Sequence, residues 1–323
     1  MSVPTFAISR GDIEKAHSRI QPFIHRTPIF TSKTINHLAG CEIYFKCENF
    51  QKVGAFKMRG ASNAIAQLNE AQKRNGVVTH SSGNHAQAVA KAAAQQACKA
   101  FIVMPKNAPK VKVNAVKEYG GIITFCSPTL EAREDGVAQI IREKNASFIH
   151  PFDNYEVISG QATAAKELLE DQNDLDALIC PVGGGGLLAG SILASHYFGN
   201  NIPVFAGEPL GADDAYQSLQ KGEIVPSKNP NTIADGLLTS LGSRNFEIIK
   251  KGTKAIFLAS DSEIISAMRL IWERLKIIVE PSCAVPLAVI LKNKNDFKNL
   301  KVGLILSGGN IDLDSFFKTI IST

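Results

Sequence analysis

The chain has 323 residues, 45% hydrophobic and 20% charged, with a net charge of +5 at neutral pH. That length predicts one large or two linked domains, and the composition excludes a disordered, collagen-like or disulfide-rich chain. The basic excess is thinly spread, apart from Lys106, Lys110, Lys112 and Lys117, which read as a solvated face; no basic run is interleaved with aromatics, which excludes a nucleic-acid binder.

No apolar run approaches the roughly 18 residues of a membrane span. The first residues carry no cationic-then-apolar leader, and the six scattered cysteines form no CxxC pair. A reduced, cytoplasmic compartment is expected, with the cysteines packing as small hydrophobes.

Along the chain, short apolar runs alternate with helical patterns. "EIYFKCE" (42–48) comes first, followed by a lysine segment, "ENFQKVGAFKMRGA" (48–61). "GVVTHSS" (76–82), "KAFIVMP" (99–105) and "GGIITFC" (120–126) then form three strand–helix units in close succession. "ASFIHPF" (146–152), "DALICPVGG" (176–184), "PVFAGEP" (203–209), "TKAIFLAS" (253–260) and "KVGLILSGG" (301–309) complete the set. Strand alternating with helix predicts an α/β fold with parallel sheets covered on both faces. The spacing suggests two sheets without a flexible linker, and the cleft between two closely packed domains is the natural site.

Two local features carry chemistry. Lys57 sits between Phe56 and Met58, with Gly54 and Gly60 close by, where a solvated lysine would have polar company. A desolvated lysine has a lowered pKa and acts as an amine nucleophile. Gly183, Gly184, Gly185 and Gly186 follow an apolar strand, and Leu187 is expected to open an amphipathic helix. Such a loop lets free amides approach an anion closely. It is not a Walker loop, since no Lys-Ser/Thr follows. The dinucleotide pattern G-x-G-x-x-G/A fits only as Gly184-Gly186-Ala189, which keeps a nucleotide-binding α/β protein as a competing reading. A nucleophilic lysine and a phosphate cradle together suit pyridoxal phosphate.

The motifs then reach a family. "GAFKMRGA", "SSGNHAQAVA" (81–90), "HPFDNYEVISGQAT" (150–163), "GGGGLLAG" and "SGGN" (307–310) occur in the order found in the fold-type II pyridoxal-phosphate enzymes, which the chain resembles from about residue 10 onward. The likeness is to the racemase and dehydratase branch; a C-terminal regulatory domain is not expected. The resemblance implies a two-domain α/β enzyme: residues 1–52 and 146–323 form the large cofactor-binding domain, and 53–145 a small domain with the substrate loop. It implies that Lys57 forms the Schiff base, Phe56 packs on the pyridine ring, Asn84 meets the ring hydroxyl, Gly183 to Leu187 bind the phosphate and Ser307 faces the ring nitrogen. Gly54 and Ala55 depart from the family's usual hydroxyl residues there. A serine hydroxyl is too weak an acid to protonate that nitrogen, which favours reprotonation or β-elimination over transamination. Ser81, Ser82, Gly83, Asn84 and His85 would receive the substrate, with Arg133 nearby; His85 also reads as a packed helix-start residue.

The implied reaction interconverts L- and D-serine, with elimination to pyruvate and ammonia on the side. The alternative is an L-threonine/L-serine dehydratase, and a non-catalytic pyridoxal-phosphate carrier is the third reading. The loop reads "SSGNH" where dehydratases usually have "SAGNH", so Ser82 is expected to be the second acid–base group, although a serine there could also cap the helix. Glu208, the carbonyl of Ala212 and Asp214 are expected to hold Mg²⁺, or Ca²⁺ or Mn²⁺. By resemblance alone, Ser32, Lys33, Lys52, Gln87, Tyr119 and Asn310 mark an allosteric ATP site, and the protein is expected to be a homodimer.

Overall fold

A computed structural model describes residues 5–314, 316 and 317. The strands are β1 (Ile29–Phe30), β2 (Glu42–Cys47), β3 (Val77–His80), β4 (Ala100–Pro105), β5 (Ile122–Cys126), β6 (Ser147–Phe148), β7 (Ala177–Pro181), β8 (Val204–Pro209), β9 (Thr253–Ala259) and β10 (Lys301–Leu306). Among the described residues they form two sheets. A six-stranded sheet has the order β1-β2-β10-β7-β8-β9, and a four-stranded sheet the order β5-β4-β3-β6. Every pairing is parallel except β1 with β2. The sequence reading lacked β1, whose two residues carry no periodicity. The smaller sheet ends on Ser147–Phe148, just past residue 145.

The central strands are apolar throughout because both faces are covered. β7 and β8 are buried along their whole length. The helix Pro281–Lys292 packs on one face, with Val285, Leu287 and Val289 in the core. Tyr155–Asp171 and Gly186–Phe198 cover the other. Gly190 lets these two helices touch, since a Cβ there would lie 2.7 Å from the Ala162 nitrogen. Five of the six cysteines are buried, as expected of small hydrophobes. No described helix is long and apolar enough to cross a membrane.

The helix Lys57–Ala66 lies against Tyr155–Asp171, backbone to backbone. A Cβ on Gly60 would meet the Val157 carbonyl at 2.8 Å, and one on Gly160 the Arg59 carbonyl at 2.6 Å. Arg59 then turns into a buried ion cluster. Its guanidinium donates to both oxygens of Glu48, at 2.7 and 2.8 Å, and to both oxygens of Glu167, each at 2.8 Å. Lys46 donates to Glu167 at 2.7 Å and to the Thr27 carbonyl at 2.8 Å. Burial opposes charge here, but the paired carboxylates hold Arg59 above the usual arginine range. The cluster fixes the helix that starts at Lys57 to β2 and to Tyr155–Asp171.

Candidate active site

The three expected binding motifs lie at the C-terminal ends of parallel strands: Ser81 after β3, Gly183 after β7, Ser307 after β10. Parallel sheets place ligands at such ends. The lysine segment is joined to the last of them. Val53 and Gly54 both take left-handed backbone, at φ 59° and 67°, and turn the chain sharply. The Phe56 amide then donates to the Ser307 carbonyl at 3.0 Å, and the Gly309 amide to the Gly54 carbonyl at 2.9 Å. Lys57 opens its helix, partly buried, with Nζ donating to the Pro151 carbonyl at 2.8 Å. The Phe56 and Phe152 rings lie 5.2 and 6.0 Å from Nζ. Burial draws the Lys57 ammonium down to about 8, against the pull of the Glu280 carboxylate. This is the desolvated amine expected from its neighbours.

Asn84 opens the helix Asn84–Gln95, whose N-cap, Gly83, supplies no side-chain cap. Ser82 therefore does not cap this helix. The Ser81 hydroxyl accepts from the Gly83 amide at 3.2 Å. Asn84 Nδ2 donates to Glu280 at 2.9 and 3.1 Å, and Asn84 Oδ1 accepts from Asn310 at 2.9 Å. Glu280, absent from the sequence reading, is buried, and burial raises its carboxyl to about 7. Its only sequence signal is a position just before Pro281 at a helix start.

Three histidines surround the lysine side. His85 is buried, with Nε2 donating to the Ile149 carbonyl at 3.1 Å and Nδ1 lacking a partner. Burial, then Lys57, holds it well below the usual histidine range. His150 accepts two backbone amides on Nδ1, at 2.9 and 3.2 Å, and burial draws it down to about 4. His80 is lowered by burial and by the nearby Arg133 charge. Arg133 has a buried Nε with no partner. Lys112, read as part of a solvated face, is instead largely buried and paired with Asp235.

The glycine run forms a cradle that side chains would fill. A Cβ on Gly184 would fall 2.4 Å from the Phe152 ring, and Gly185 is left-handed at φ 90°. Gly185 caps the helix Gly186–Phe198 without a side chain, so the amides of its first turn face outward. Ser307 is buried beside this cradle's strand neighbour β10. A phosphate-bearing ring with a reactive carbonyl fits this donor set.

Glu208 and Asp214 are both buried, so this is not a solvated acidic loop. Glu208 accepts the Ala215 and Tyr216 amides, each at 2.8 Å, while both Asp214 oxygens lack partners. Burial raises Glu208 to about 9 and Asp214 to about 6. Ala212 ends the short turn between them. No described cluster of three or more His, Cys, Asp or Glu surrounds a metal position.

The residues assigned by resemblance to a nucleotide are dispersed in their contacts. The Ser32 hydroxyl caps its own helix, Gln87 is buried and Tyr119 carries Lys91 at 5.5 Å over its ring. Asn310 instead joins Asn84 and donates to the Val53 carbonyl at 2.7 Å. A cavity of about 410 Å³ lies beside Asn310, walled by Phe50, Ile278 and Leu313, and its lining includes neither Ser32, Lys33, Lys52, Gln87 nor Tyr119.

Against known proteins, residues 20–308 match the family described as "Pyridoxal-phosphate dependent enzyme". The chain is 53% identical to a serine racemase of Dictyostelium discoideum, over 98% of this chain and 99% of that protein. It is 47% identical to a beta-hydroxyaspartate dehydratase of Paracoccus denitrificans, over 97% and 98%. The crystal structure of the Dictyostelium enzyme superposes with a TM-score of 0.91, covering 94% of this chain and 99% of that one.

Proposed function

Because the chain belongs to the pyridoxal-phosphate-dependent enzymes, we propose that it interconverts L- and D-serine and eliminates water from β-hydroxy amino acids at the same site. The observation that carries this reading is the 53% identity, along nearly the whole chain, to a serine racemase. Bound pyridoxal phosphate supplies an electron sink that makes the Cα proton of an attached amino acid labile.

Lys57 would hold the cofactor and then serve as the acid–base group at one face of Cα. With its pKa drawn down to about 8, much of the amine is free at mildly alkaline pH. Ser82 moves the proton at the opposite face. The amides of Gly183 to Leu187 would bind the phosphate, with Phe56 against the ring, Asn84 toward the ring hydroxyl and Ser307 toward the nitrogen. Ser81, Gly83 and His85 would orient the substrate's α-carboxylate, with Arg133 on the substrate side.

A second substrate, β-hydroxyaspartate, is favoured by the similar dehydratase and by Arg133, whose buried Nε lacks a partner beside His80. A guanidinium there would meet a second carboxylate.

A divalent cation, Mg²⁺ or alternatively Ca²⁺ or Mn²⁺, would offset the charge of Glu208 and Asp214, whose raised pKa values report crowded, buried carboxylates. Chelation should then lower the melting temperature. ATP activation, a homodimer and a cytoplasmic location complete the proposal; calorimetry, sedimentation and imaging test them in turn.

The deciding experiment incubates cofactor-loaded protein with L-serine and quantifies D-serine and pyruvate together. Both should form. Ser82→Ala should lose D-serine formation by about 100-fold or more while pyruvate survives. Pyruvate without D-serine from the unmodified protein would make it a dehydratase instead.

A further inference from the structure

The helix Ser243–Gly252 begins beside the glycine run, and its first turn holds Asn245, fully buried. Asn245 Nδ2 donates to the Gly184 carbonyl at 2.7 Å and to the Phe152 carbonyl at 3.2 Å. Both acceptors are carbonyl oxygens, so the amide nitrogen must face them. Its Oδ1 is left buried without a partner. An unpaired buried acceptor costs roughly 1–3 kcal/mol, which a leucine of similar size would avoid. A residue kept for packing alone has no need of that amide.

The Gly184 carbonyl also accepts from the Gly242 amide at 3.2 Å. Two donors therefore hold the oxygen of the peptide that joins Gly184 to Gly185. A peptide is planar, so fixing its oxygen on one side aims its N–H to the other. Gly185 is left-handed and its neighbours have no side chains, so little else in the run resists rotation of that plane. The Phe152 carbonyl, on the same nitrogen, ties in the ring that lies across Gly184. Asp153 extends the same joint, accepting the Arg244 amide at 2.8 Å.

We propose that Asn245 is a positioning residue for the phosphate cradle, turning the Gly184–Gly185 peptide so that the loop amides converge on the cofactor's phosphate. The inference rests on the cofactor reading above and adds the group that aims the loop.

The test compares pyridoxal phosphate with pyridoxal, which lacks the phosphate, by absorbance titration of the apo-protein. The unmodified protein should prefer the phosphorylated form. Asn245→Leu removes both hydrogen bonds of the Asn245 amide, to Gly184 and to Phe152, at similar volume and should weaken pyridoxal phosphate by on the order of tenfold, with pyridoxal binding unchanged. Asn245→Asp sets a carboxylate against two carbonyls and should lose at least as much. The ³¹P resonance of the bound cofactor should broaden or move in Asn245→Leu. Parallel weakening of both ligands would overturn the proposal, since it would mark a general structural loss. An unchanged preference in Asn245→Leu would overturn it as well. No preference in the unmodified protein would instead refute the phosphate cradle itself, and this inference with it.

Discussion

Lys57 and Arg59 stand two residues apart on one helix, and their surroundings drive them in opposite directions. Arg59 is fully buried and stays charged, held above the arginine range by Glu48 and Glu167. Lys57 is only partly buried, yet its ammonium falls to about 8. Burial alone does not explain the contrast. Arg59 meets two bidentate carboxylates, whereas Lys57 donates to a neutral carbonyl and feels Glu280 only at a distance. One region is built to keep a cation, the other to release a proton.

The comparison breaks most completely at its reactive end. Lys57→Ala should lower turnover of L-serine by at least about 10³-fold and abolish the borohydride-sensitive visible band. Unimpaired turnover would place the nucleophile elsewhere. The next largest effect belongs to the other end. Arg59→Met leaves Glu48 and Glu167 buried without their partner and should destabilise the fold by about 3–5 kcal/mol. Urea unfolding measures it, and a loss under about 1 kcal/mol would show that water or Lys46 replaces the guanidinium.

A pH experiment sharpens the contrast further. The unfolded lysine keeps its proton to about 10.5, while folded Lys57 releases it near 8. Between those values the unfolded state binds more protons, so stability rises with pH across that window. Below about 8 the full penalty is present, of order 3 kcal/mol at most. Unfolding of the apo-protein at pH 7.5 and 10, set against Lys57→Met, isolates this effect; no difference between the two pH values would remove it. Arg59 stays charged throughout and contributes nothing to the slope. The smallest effect is a control: Arg269 pairs with Glu273 on an exposed helix face at 2.7 Å. Arg269→Ala should leave the melting temperature unchanged, because water screens that pair.

Much of the site was legible because its chemistry is local. Lys57 stood out by its apolar neighbours, the candidate phosphate loop by four adjacent glycines after an apolar strand, and the parallel sheets by unbroken apolar runs between helical patterns. Each signal lies within one short segment, where backbone freedom, burial and period are set by adjacent residues. Glu280, Asn245 and the partner of Lys112 gave no such signal. Glu280 meets Asn84 across 196 positions, Asn245 meets Gly184 across 61, and Lys112 meets Asp235 across 123.

The amino-acid order therefore determined, by itself, the α/β class, the two runs of strands, a lysine among apolar neighbours and a four-glycine turn after an apolar strand. These depend on periodicity and on residues next to one another. Only the tertiary structure decided which cation keeps its charge, which asparagine bonds the Gly184 carbonyl and that Glu208 and Asp214 are buried together. Those outcomes depend on desolvation and on hydrogen bonds between distant segments, and both exist only once the sheets have closed around them.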